Sequence, residues 1–362
     1  MNLSESLKDR YSRDDISAYN AQYLAQVIAF GPVIFQVARI MLKWGILEMI
    51  ADEPLTIDEV AGRAGVSKYA AKCLLESSLT MSILKVNPDT GKFSLSKTGF
   101  FLLNDKSTRV NLDFNHDVNY IGLFNLEESL KEGRPAGLKH FGDWPTVYEG
   151  LSSLPAKVQD SWFAFDHYYS DCSFEEALEV VFSKPVRHLM DVGGNTGRWA
   201  LQCVAHDPKV QVTIVDLPQQ LQMMRQQTAG KPGAERIHGY PANLLNDESV
   251  FPSNVHFDAI WMSQFLDCFS EEEITGILKR AAKIMSEDTK LYIMETFWDR
   301  QRFDTSAFCL TQISLYFTAI ANGNSKMYHS DDLVRLVQES GLSVETIHDN
   351  LGMGHSIMVC AK

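Results

Sequence analysis

From about residue 186 the chain alternates short apolar runs with helical stretches, and this pattern restricts the possible folds more than any other feature. The first four runs are Arg187–Asp191, Val210–Asp216, Phe257–Trp261 and Lys290–Glu295. Strands separated by helices pair in parallel, because each helix returns the chain to the starting edge of the sheet. The pattern predicts a doubly wound α/β sheet over residues 184–362, with Leu342–Ile347 and Ser356–Cys360 as a closing antiparallel pair.

The first 110 residues follow a helical pattern instead. Residues 14–50 are expected to form helices, with a break at Gly31-Pro32. Thr56 and Glu59 have the spacing of a capping box, in which each side chain bonds the backbone N–H of the other residue. This spacing predicts that a helix starts at Thr56.

A second helix and a hairpin follow. Ser67 is expected to cap a helix that runs to Ser78, and Leu84–Val86 with Lys92–Leu95 reads as a β-hairpin around an Asn-Pro-Asp-Thr-Gly turn. Helix, turn, helix and hairpin is the order of a winged-helix module, which we assign to residues 1–110. Residues 111–183 are expected to be mainly helical and to line a substrate pocket.

The charge balance argues against nucleic acid as a partner. The net charge is −13, and residues 1–110 carry 13 basic and 12 acidic side chains, so the excess of acid lies in the remainder. An acidic surface repels nucleic acid. The candidate recognition helix has Lys68 and Lys72 but also Glu76 and no arginine, which is weak for phosphate contact.

Cysteine spacing and the apolar segments point to a cytoplasmic protein that crosses no membrane. The six cysteines are scattered without a Cys-x-x-Cys pair, so neither a zinc site nor a disulfide framework is expected. The start, Met1–Glu5, is too polar for a signal peptide. The most apolar stretch, Val27–Ile50, is interrupted by polar and charged side chains, as in a buried amphipathic helix.

A glycine-rich turn, Asp191–Gly197, follows the first predicted strand directly. Its glycines Gly193, Gly194 and Gly197 allow the backbone to approach a ligand closely. The turn lacks the Gly-Lys-Ser/Thr of a P-loop and the Gly-x-Gly-x-x-Gly spacing of a dinucleotide site. Asp191 would repel a phosphate and favour a positively charged ligand.

Asp216 ends the next predicted strand, about 20 residues after the glycine turn. An acid at this point can accept hydrogen bonds from both hydroxyls of a ribose, and Leu217 behind it can pack on a base. The alternative is that Asp216 only begins the turn at Leu217-Pro218. The spacing from the glycine turn favours the ribose role.

These two motifs resemble those of class I S-adenosylmethionine-dependent methyltransferases, and nearly the whole chain resembles the small-molecule O-methyltransferases among them. The resemblance implies a Rossmann-like C-terminal domain, a homodimer formed through the N-terminal module, and a small aromatic or polyketide-like hydroxyl compound as methyl acceptor. It also implies that Asp191 faces the ammonium and sulfonium charges of the cofactor. No cluster of acids and histidines has metal-ligand spacing, so no metal is expected.

The same resemblance extends the cofactor site. Asn243 stands where the family has an Asp that binds the adenine amine, and an amide can also pair with an adenine edge. Leu244 follows it, and Ser263 ends the strand after Trp261. Tyr169 and Ser170 match the segment that covers the methionine end of the cofactor, although a core role for Tyr169 is an equal alternative.

At the catalytic position the sequence departs from the family, which uses a His in a Leu-His-Asp-Trp-like motif between two Glu residues. Here the motif reads Leu266–Phe269, and Asp267 occupies the His position. Glu295 matches one of the two Glu residues, whereas Ser325 stands at the other.

The change of base has a sizeable chemical cost. A phenol has a pKa of about 10, His about 6.5 and Asp about 3.9, so full proton transfer is uphill by about 5 kcal/mol to His and about 8 kcal/mol to Asp. Asp267 is therefore a poor base unless its pKa is raised. Burial beside Glu295 would raise it, with one proton shared between the two carboxyl groups.

Several roles for Asp267 stay open. It is a general base, a group that only orients the acceptor, or part of a site that has lost methyl transfer while keeping the fold. The structural alternative is a helix N-terminal acid that faces the dipole of the helix beginning at Ser270. Methylation of carbon or nitrogen, or a non-methylating reaction, is a further alternative. Three histidines in the helical middle region are candidates for the missing base: His116, His140 and His167.

Overall fold

The computed structural model describes Leu3 and residues 5–246 and 248–362, without the side chains of residues 5 and 6. Two compact units divide the chain. The first is Arg13–His116, and the second joins Asp117–Lys362 with the N-terminal segment up to Ser12. The division of the chain into segments 1–110, 111–183 and 184–362 stays a prediction.

The α-helices cover most of the first half of the chain and alternate with strands in the second. In chain order they are α1 (Glu5–Tyr11), α2 (Ala18–Ala29), α3 (Gly31–Lys43), α4 (Ile46–Asp52), α5 (Ile57–Ala64), α6 (Lys68–Thr80), α7 (Lys97–Asn104), α8 (Lys106–Phe114), α9 (Leu126–Glu132), α10 (Val147–Gly150), α11 (Ala156–Asp171), α12 (Phe174–Val181), α13 (Arg198–His206), α14 (Pro218–Thr228), α15 (Glu271–Ile284), α16 (Asp304–Tyr316) and α17 (Ser330–Glu339).

The strands form a small hairpin and one large sheet. They are β1 (Leu84–Val86), β2 (Phe93–Leu95), β3 (His188–Val192), β4 (Gln211–Asp216), β5 (Ile237–Pro241), β6 (Ala259–Ser263), β7 (Lys290–Glu295), β8 (Ser343–Leu351) and β9 (His355–Ala361). Every strand predicted from the sequence is present. The sequence pattern missed β5, whose exposed His238 and half-buried Tyr240 interrupt an apolar run.

The large sheet confirms the doubly wound α/β fold. Its strand order is β5-β4-β3-β6-β7-β9-β8, with parallel pairing from β5 to β7 and the antiparallel pair β8 and β9 at one edge. The chain runs from β3 outward to β5 and then crosses to β6 on the other side of β3. Ligands of such sheets bind outside the carboxyl ends of the strands where the winding direction changes, which is here between β4, β3 and β6.

Both faces of the sheet are covered, because successive side chains of a strand point to opposite faces. Met190 and Ile260 point to the core formed with α15 and α17, whereas Leu189 and Trp261 point to the core formed with α12 to α14. On the second face the rings of Trp199 and Trp261 stack with centroids 4.3 Å apart. This packing fixes the ends of β3 and β6, where the candidate site lies.

The unit Arg13–His116 has the predicted helix, turn, helix and hairpin order. The capping box is confirmed: the Thr56 hydroxyl accepts from the Glu59 N–H, and the Glu59 carboxylate accepts from the Thr56 N–H at 2.7 Å. Ser67 caps α6, and β1 pairs with β2 in antiparallel register. The break at Gly31-Pro32 is also confirmed, since α3 starts at Gly31.

Among the described residues, no single helix is long and apolar enough to cross a membrane. Only α2 and α3 taken together have the necessary length and composition, and they are bent by 74° where they meet.

Candidate active site

The glycine turn joins the end of β3 to the start of α13. Gly193 has a φ of +75°, and its N–H donates to the Val215 carbonyl at 2.9 Å, which fixes the turn between β3 and β4. A Cβ atom on Gly193 would lie 2.4 Å from the Phe265 ring, and one on Gly194 would lie 2.5 Å from Asp191 Oδ2. The turn therefore depends on glycine for both its conformation and its space.

Two acids flank this turn. Asp191 is 2 % exposed, and its Oδ2 atom has no hydrogen-bond partner among the described residues. Burial, and after it the charge of Asp216, raise the pKa of Asp191 to about 8. An unpartnered buried carboxyl is costly, so a cation from a ligand would be stabilised beside it.

Asp216 is held in place by two backbone groups. Its Oδ2 accepts from the Asn195 N–H at 2.9 Å and its Oδ1 from the Leu217 N–H at 2.7 Å. Burial raises the pKa of Asp216 to about 6, and these two hydrogen bonds oppose that rise. Each oxygen keeps a second lone pair for a ligand hydroxyl.

The segment after β5 lies next to Asp216, because the Ala242 N–H donates to the Asp216 carbonyl at 3.0 Å. Leu244 is buried in the core against α15, whereas Asn243 is exposed and its Oδ1 accepts from the Leu245 N–H at 3.0 Å. The Asn243 amide N–H₂ is the group with which it would pair an adenine edge.

The other predicted cofactor residues lie on α11 and β6. Tyr169 is buried and packs on Phe165, with ring centroids 4.8 Å apart. Ser170 is half-buried, and the next residue, Asp171, forms an ion pair with Arg198 at the start of α13. That ion pair ties the end of α11 to the helix that follows the glycine turn. Ser263 ends β6.

Asp267 lies in a single 3₁₀ turn, Leu266–Cys268, just after β6. It is 5 % exposed, and its Oδ1 accepts from the Cys268 thiol at 3.4 Å. Burial raises its pKa to about 7. A raised pKa is the condition under which an aspartate can act as the base for a hydroxyl.

Glu295, at the end of β7, braces the turn that carries Asp267. It is 4 % exposed, and its Oε1 accepts from the Phe265 N–H at 3.1 Å and the Leu266 N–H at 2.9 Å. Its Oε2 has no hydrogen-bond partner among the described residues. Burial, and then the charge of Asp267, raise the pKa of Glu295 well above its usual value, so the two carboxyl groups act on each other. A shared proton stays a hypothesis.

Ser325, at the position of the second family Glu, also supports this turn. It is buried, and its hydroxyl donates to Asn322 Oδ1 at 2.9 Å. The Asn322 amide in turn donates to the Cys268 carbonyl. Ser325 thus orients the Asn322 amide, and this amide, rather than a carboxylate, supports the turn Leu266–Cys268.

Sequence reasoning missed a group of side chains whose charges act on one another or on Asp267. They are Asp166, Tyr148 and Tyr316, which lie on α11, α10 and α16. The Trp162 indole donates to the Tyr316 hydroxyl at 2.7 Å, and the Tyr148 hydroxyl is buried beside the Cys268 thiol. No sequence spacing joins these residues, so no local motif marked them.

The three candidate histidines lie in different places. His116 belongs to the unit Arg13–His116 and stacks on Phe35, and His140 is exposed and bonded to Asn125 at 2.9 Å. His167 is half-buried beside Phe163, and its pKa is lowered by burial and then by Arg198. Within the described residues no group of three or more His, Cys, Asp or Glu has the geometry of a metal site.

Family models match two parts of the chain. Residues 22–93 match a Dimerisation2-like domain, and residues 158–343, just over half of the chain, match the O-methyltransferase domain. The chain belongs to the O-methyltransferase domain family. This confirms the resemblance drawn from the sequence, and S-adenosylmethionine is the cofactor of that family.

Curated relatives differ in the atom that they methylate. L-tyrosine C(3)-methyltransferase of Streptomyces lavendulae is 21% identical, over 88% of this chain and 86% of that protein. Demethylspheroidene O-methyltransferase of Cereibacter sphaeroides is 25% identical, over 74% of this chain and 69% of that protein.

A solved structure shares the fold. It is the O-methyltransferase NcsB1 of neocarzinostatin biosynthesis, in complex with S-adenosylmethionine and 2-hydroxy-5-methyl naphthoic acid. It matches with a TM-score of 0.66 at 18% identity, over 90% of this chain and 95% of that one.

The described residues fit a bound S-adenosylmethionine. Besides Asp191 Oδ2, the buried oxygens Asn195 Oδ1 and Gln264 Oε1 have no hydrogen-bond partner in the part of the chain that the structure describes. Both belong to segments at the carboxyl edge of the sheet. Asn195 and Gln264 also have left-handed backbone conformations, with φ of +48° and +45°. Polar atoms and strained backbone of this kind gather where a ligand completes the structure.

Proposed function

We propose that this protein transfers the methyl group of S-adenosylmethionine to a hydroxyl of a small, flat molecule, with Asp267 as the general base. The observation that carries the proposal is the burial of Asp267 at the carboxyl edge of the sheet, which raises its pKa to about 7. With that pKa, full proton transfer from a phenol is uphill by about 4 kcal/mol rather than about 8 kcal/mol. The pKa of Asp267 is then close to that of the His that stands at this position in the family.

Each half of the site has its own task. The bound cofactor supplies an electrophilic methyl group on a positively charged sulfur. Asp216 binds the ribose hydroxyls, and Leu217 packs against the adenine. Asp191 faces the positive charges of the cofactor. The glycines of the turn allow the protein backbone to approach the cofactor closely. On the other side Asp267 would take the proton of the acceptor hydroxyl. Transfer of the methyl group to that oxygen breaks the sulfur–methyl bond, and the products are a methyl ether, S-adenosylhomocysteine and protonated Asp267.

Glu295 serves as a positioning residue in this scheme. Its Oε1 holds the Phe265 and Leu266 N–H groups, and this fixes the turn that presents Asp267. Burial, and then the charge of Asp267, raise the pKa of Glu295, which favours the protonated form of Glu295 beside an ionised Asp267. The shared proton between the two carboxyl groups belongs to this proposal.

Carbon methylation is the second candidate, supported by the relative named as a C(3)-methyltransferase. The two reactions are separated by blocking the acceptor hydroxyl as an ether. A hydroxyl-blocked acceptor that still receives a methyl group would favour carbon methylation.

For the N-terminal unit we propose a winged-helix-like module that forms a homodimer in a cytoplasmic enzyme. The match to a Dimerisation2-like domain supports it, as do exposed apolar side chains on α2 and α3 such as Ile28 and Val33. Analytical ultracentrifugation checks the dimer, and Ile28→Asp is expected to shift the protein toward monomer.

Calorimetric titration with S-adenosylmethionine and its demethylated product tests the cofactor site first. We expect micromolar binding of both, weakened by about 50-fold in Asp216→Ala, because two hydrogen bonds to a carboxylate are lost. Asp207→Ala is a control, since Asp207 caps the end of α13 away from the glycine turn. If folded protein bound neither compound, the chain would be a catalytically altered relative with a regulatory role.

A further inference from the structure

The Cys268 thiol is bonded directly to the proposed base. Asp267 and Cys268 are neighbours in the 3₁₀ turn Leu266–Cys268, and the thiol donates to Asp267 Oδ1 at 3.4 Å. The same sulfur lies 4.0 Å from the Gln264 carbonyl oxygen. Asp267 is 5 % exposed, so little water reaches its carboxyl group. A hydrogen bond from a protein side chain thus takes the place of water at one oxygen of Asp267.

Both backbone groups of Cys268 are bonded, and this holds the thiol in position. The Cys268 N–H donates to the Phe265 carbonyl at 3.1 Å, and the Cys268 carbonyl accepts from the Asn322 amide. The Ser325 hydroxyl fixes that amide, because it donates to Asn322 Oδ1 at 2.9 Å. The contact between the thiol and Asp267 is therefore built into the fold of the turn.

The strength of the donor matters for a base. A thiol is a weak hydrogen-bond donor, whereas a hydroxyl is a stronger one. A donor favours the ionised form of a carboxyl group, so a strong donor would make Asp267 a weaker base. Burial raises the pKa of Asp267 to about 7, and the hydrogen bond from Cys268 opposes that rise. Because the thiol is weak, it orients the carboxyl group and leaves most of the rise in place.

Position 268 departs from the family motif together with position 267. The family motif has an acid after its His, whereas this chain has Cys268 after Asp267. A carboxylate at position 268 would repel the charge of Asp267 and oppose its ionisation. An uncharged thiol keeps a donor beside Asp267 and adds no second charge.

We propose that Cys268 is a positioning residue for the proposed base: its thiol holds one oxygen of Asp267 through a bond weak enough that the carboxyl group can still take up a proton. The inference rests on the proposed function, in which Asp267 takes the proton of the acceptor hydroxyl. Cys268 acts through Asp267 and takes no part in methyl transfer itself.

The charge of Asp267 also acts on groups that come from other elements. They are Tyr148 on α10, Asp166 on α11, Glu295 on β7, Tyr316 on α16 and Tyr328 just before α17. All of these groups stay unchanged in the variants that test the proposal. A change in the pKa of Asp267 is then assigned to position 268.

Carbon-13 NMR of protein labelled at the aspartate carboxyl carbons measures the pKa of Asp267 without knowledge of the acceptor. The carboxyl resonance moves when the group ionises, and Asp267→Asn assigns the Asp267 signal through its loss. Few signals compete near neutral pH, since most aspartates ionise near pH 4. The described aspartates with pKa values raised to between about 6 and about 8 are Asp166, Asp191, Asp216 and Asp267.

Two variants at position 268 are expected to change the pKa of Asp267 in opposite directions. Cys268→Ser supplies a stronger donor of similar size and should lower that pKa by about 0.5 to 1 pH unit. Cys268→Ala removes the donor and should raise that pKa by a similar amount. Cys309→Ser replaces another half-buried thiol, on α16, and should leave the pKa of Asp267 unchanged. Calorimetric binding of S-adenosylhomocysteine, equal in all three variants, shows that each is folded.

The inference is overturned by an unchanged pKa of Asp267 in both Cys268 variants, by a change in the same direction in both, or by an equal change in Cys309→Ser. In each case the thiol would not act as a hydrogen-bond donor to Asp267. The general-base role would survive these results, because the Asp267 signal would still titrate near pH 7. An Asp267 signal that does not titrate near pH 7 in the unaltered protein would remove both proposals.

Discussion

Asp216 and Asp267 both follow the carboxyl end of a parallel strand, yet the protein treats them differently. Asp216 has each oxygen bonded to a backbone N–H, and its pKa rises only to about 6. Asp267 accepts from the weak thiol donor of Cys268, and its pKa rises to about 7. The difference fits the roles that we propose: backbone donors favour the ionised form of Asp216, which binds, whereas Asp267, which exchanges a proton, has few donors.

The largest expected effect separates these two roles at the catalytic turn. Asp267→Asn keeps the size of the side chain but removes the base, so kcat should fall by a factor of about 10² to 10⁴. Cofactor affinity, measured by calorimetry, should change by less than about twofold, because Asp216 and the glycine turn are untouched.

Asp288→Asn, at an exposed loop position, controls for the loss of one acidic charge. Unchanged turnover in Asp267→Asn would end the general-base role and favour acceptor positioning or another reaction.

A second prediction concerns the cost of leaving Asp191 without a partner. Below about pH 4 the carboxyl is protonated in both folded and unfolded chains. Between about pH 4 and pH 8 the unfolded chain releases a proton that the folded protein retains, so stability is lost as the pH rises. Asp191→Asn should therefore raise the melting temperature of the cofactor-free protein, and more at pH 8 than at pH 5.

Linkage sets an upper bound on the order of 5 kcal/mol for the gain in the free energy of unfolding at pH 8, because the folded pKa lies about four units above that of an unfolded aspartate. The same variant should bind S-adenosylmethionine more weakly, since the carboxylate that faces its positive charge is gone. An equal gain in stability at both pH values would show that Asp191 does not titrate in this range.

The smallest expected effect concerns the contact between the glycine turn and the Phe265 ring. Gly193→Ala places a Cβ atom 2.4 Å from the Phe265 ring, in addition to the strain of a φ of +75°. Gly230→Ala has nearly the same strain, at a φ of +72°, but meets open space. Thermal unfolding should show a loss of about 1 kcal/mol for Gly230→Ala and about 1–3 kcal/mol more for Gly193→Ala. Equal losses would mean that Phe265 moves aside without cost.

How much could be predicted from the sequence differs between the two sides of the site, the glycine turn with Asp216 and the turn with Asp267. The fold was predicted almost completely, since strand and helix periodicity and local caps such as Thr56 are read within a few residues. The cofactor side was predicted for the same reason: Asp191, the glycine turn and Asp216 lie within about 25 residues, each at a strand end. Their contact with a cofactor, like that of Asn243 and Ser263, stays a prediction.

The acceptor side was predicted only at Asp267 and Glu295, through the family resemblance. Asp166, Tyr148 and Tyr316 belong to three helices whose relative placement depends on tertiary packing. Their own sequences show ordinary helical patterns, so no local signal marks them. The raised pKa of Asp267 likewise depends on burial, which a sequence motif does not encode.

The contact between Phe265 and Gly193 has a consequence for how this enzyme changes over time. Phe265 immediately precedes the catalytic turn and donates its N–H to Glu295, while its ring covers the glycine turn. A substitution at position 267, the proposed base, is expected to leave that contact in place, so the reaction can change without a change in the glycine turn. A side chain at position 193 would disturb both turns at once. Substitutions at position 267 can therefore change the proposed reaction while the glycine turn of the proposed cofactor site stays the same.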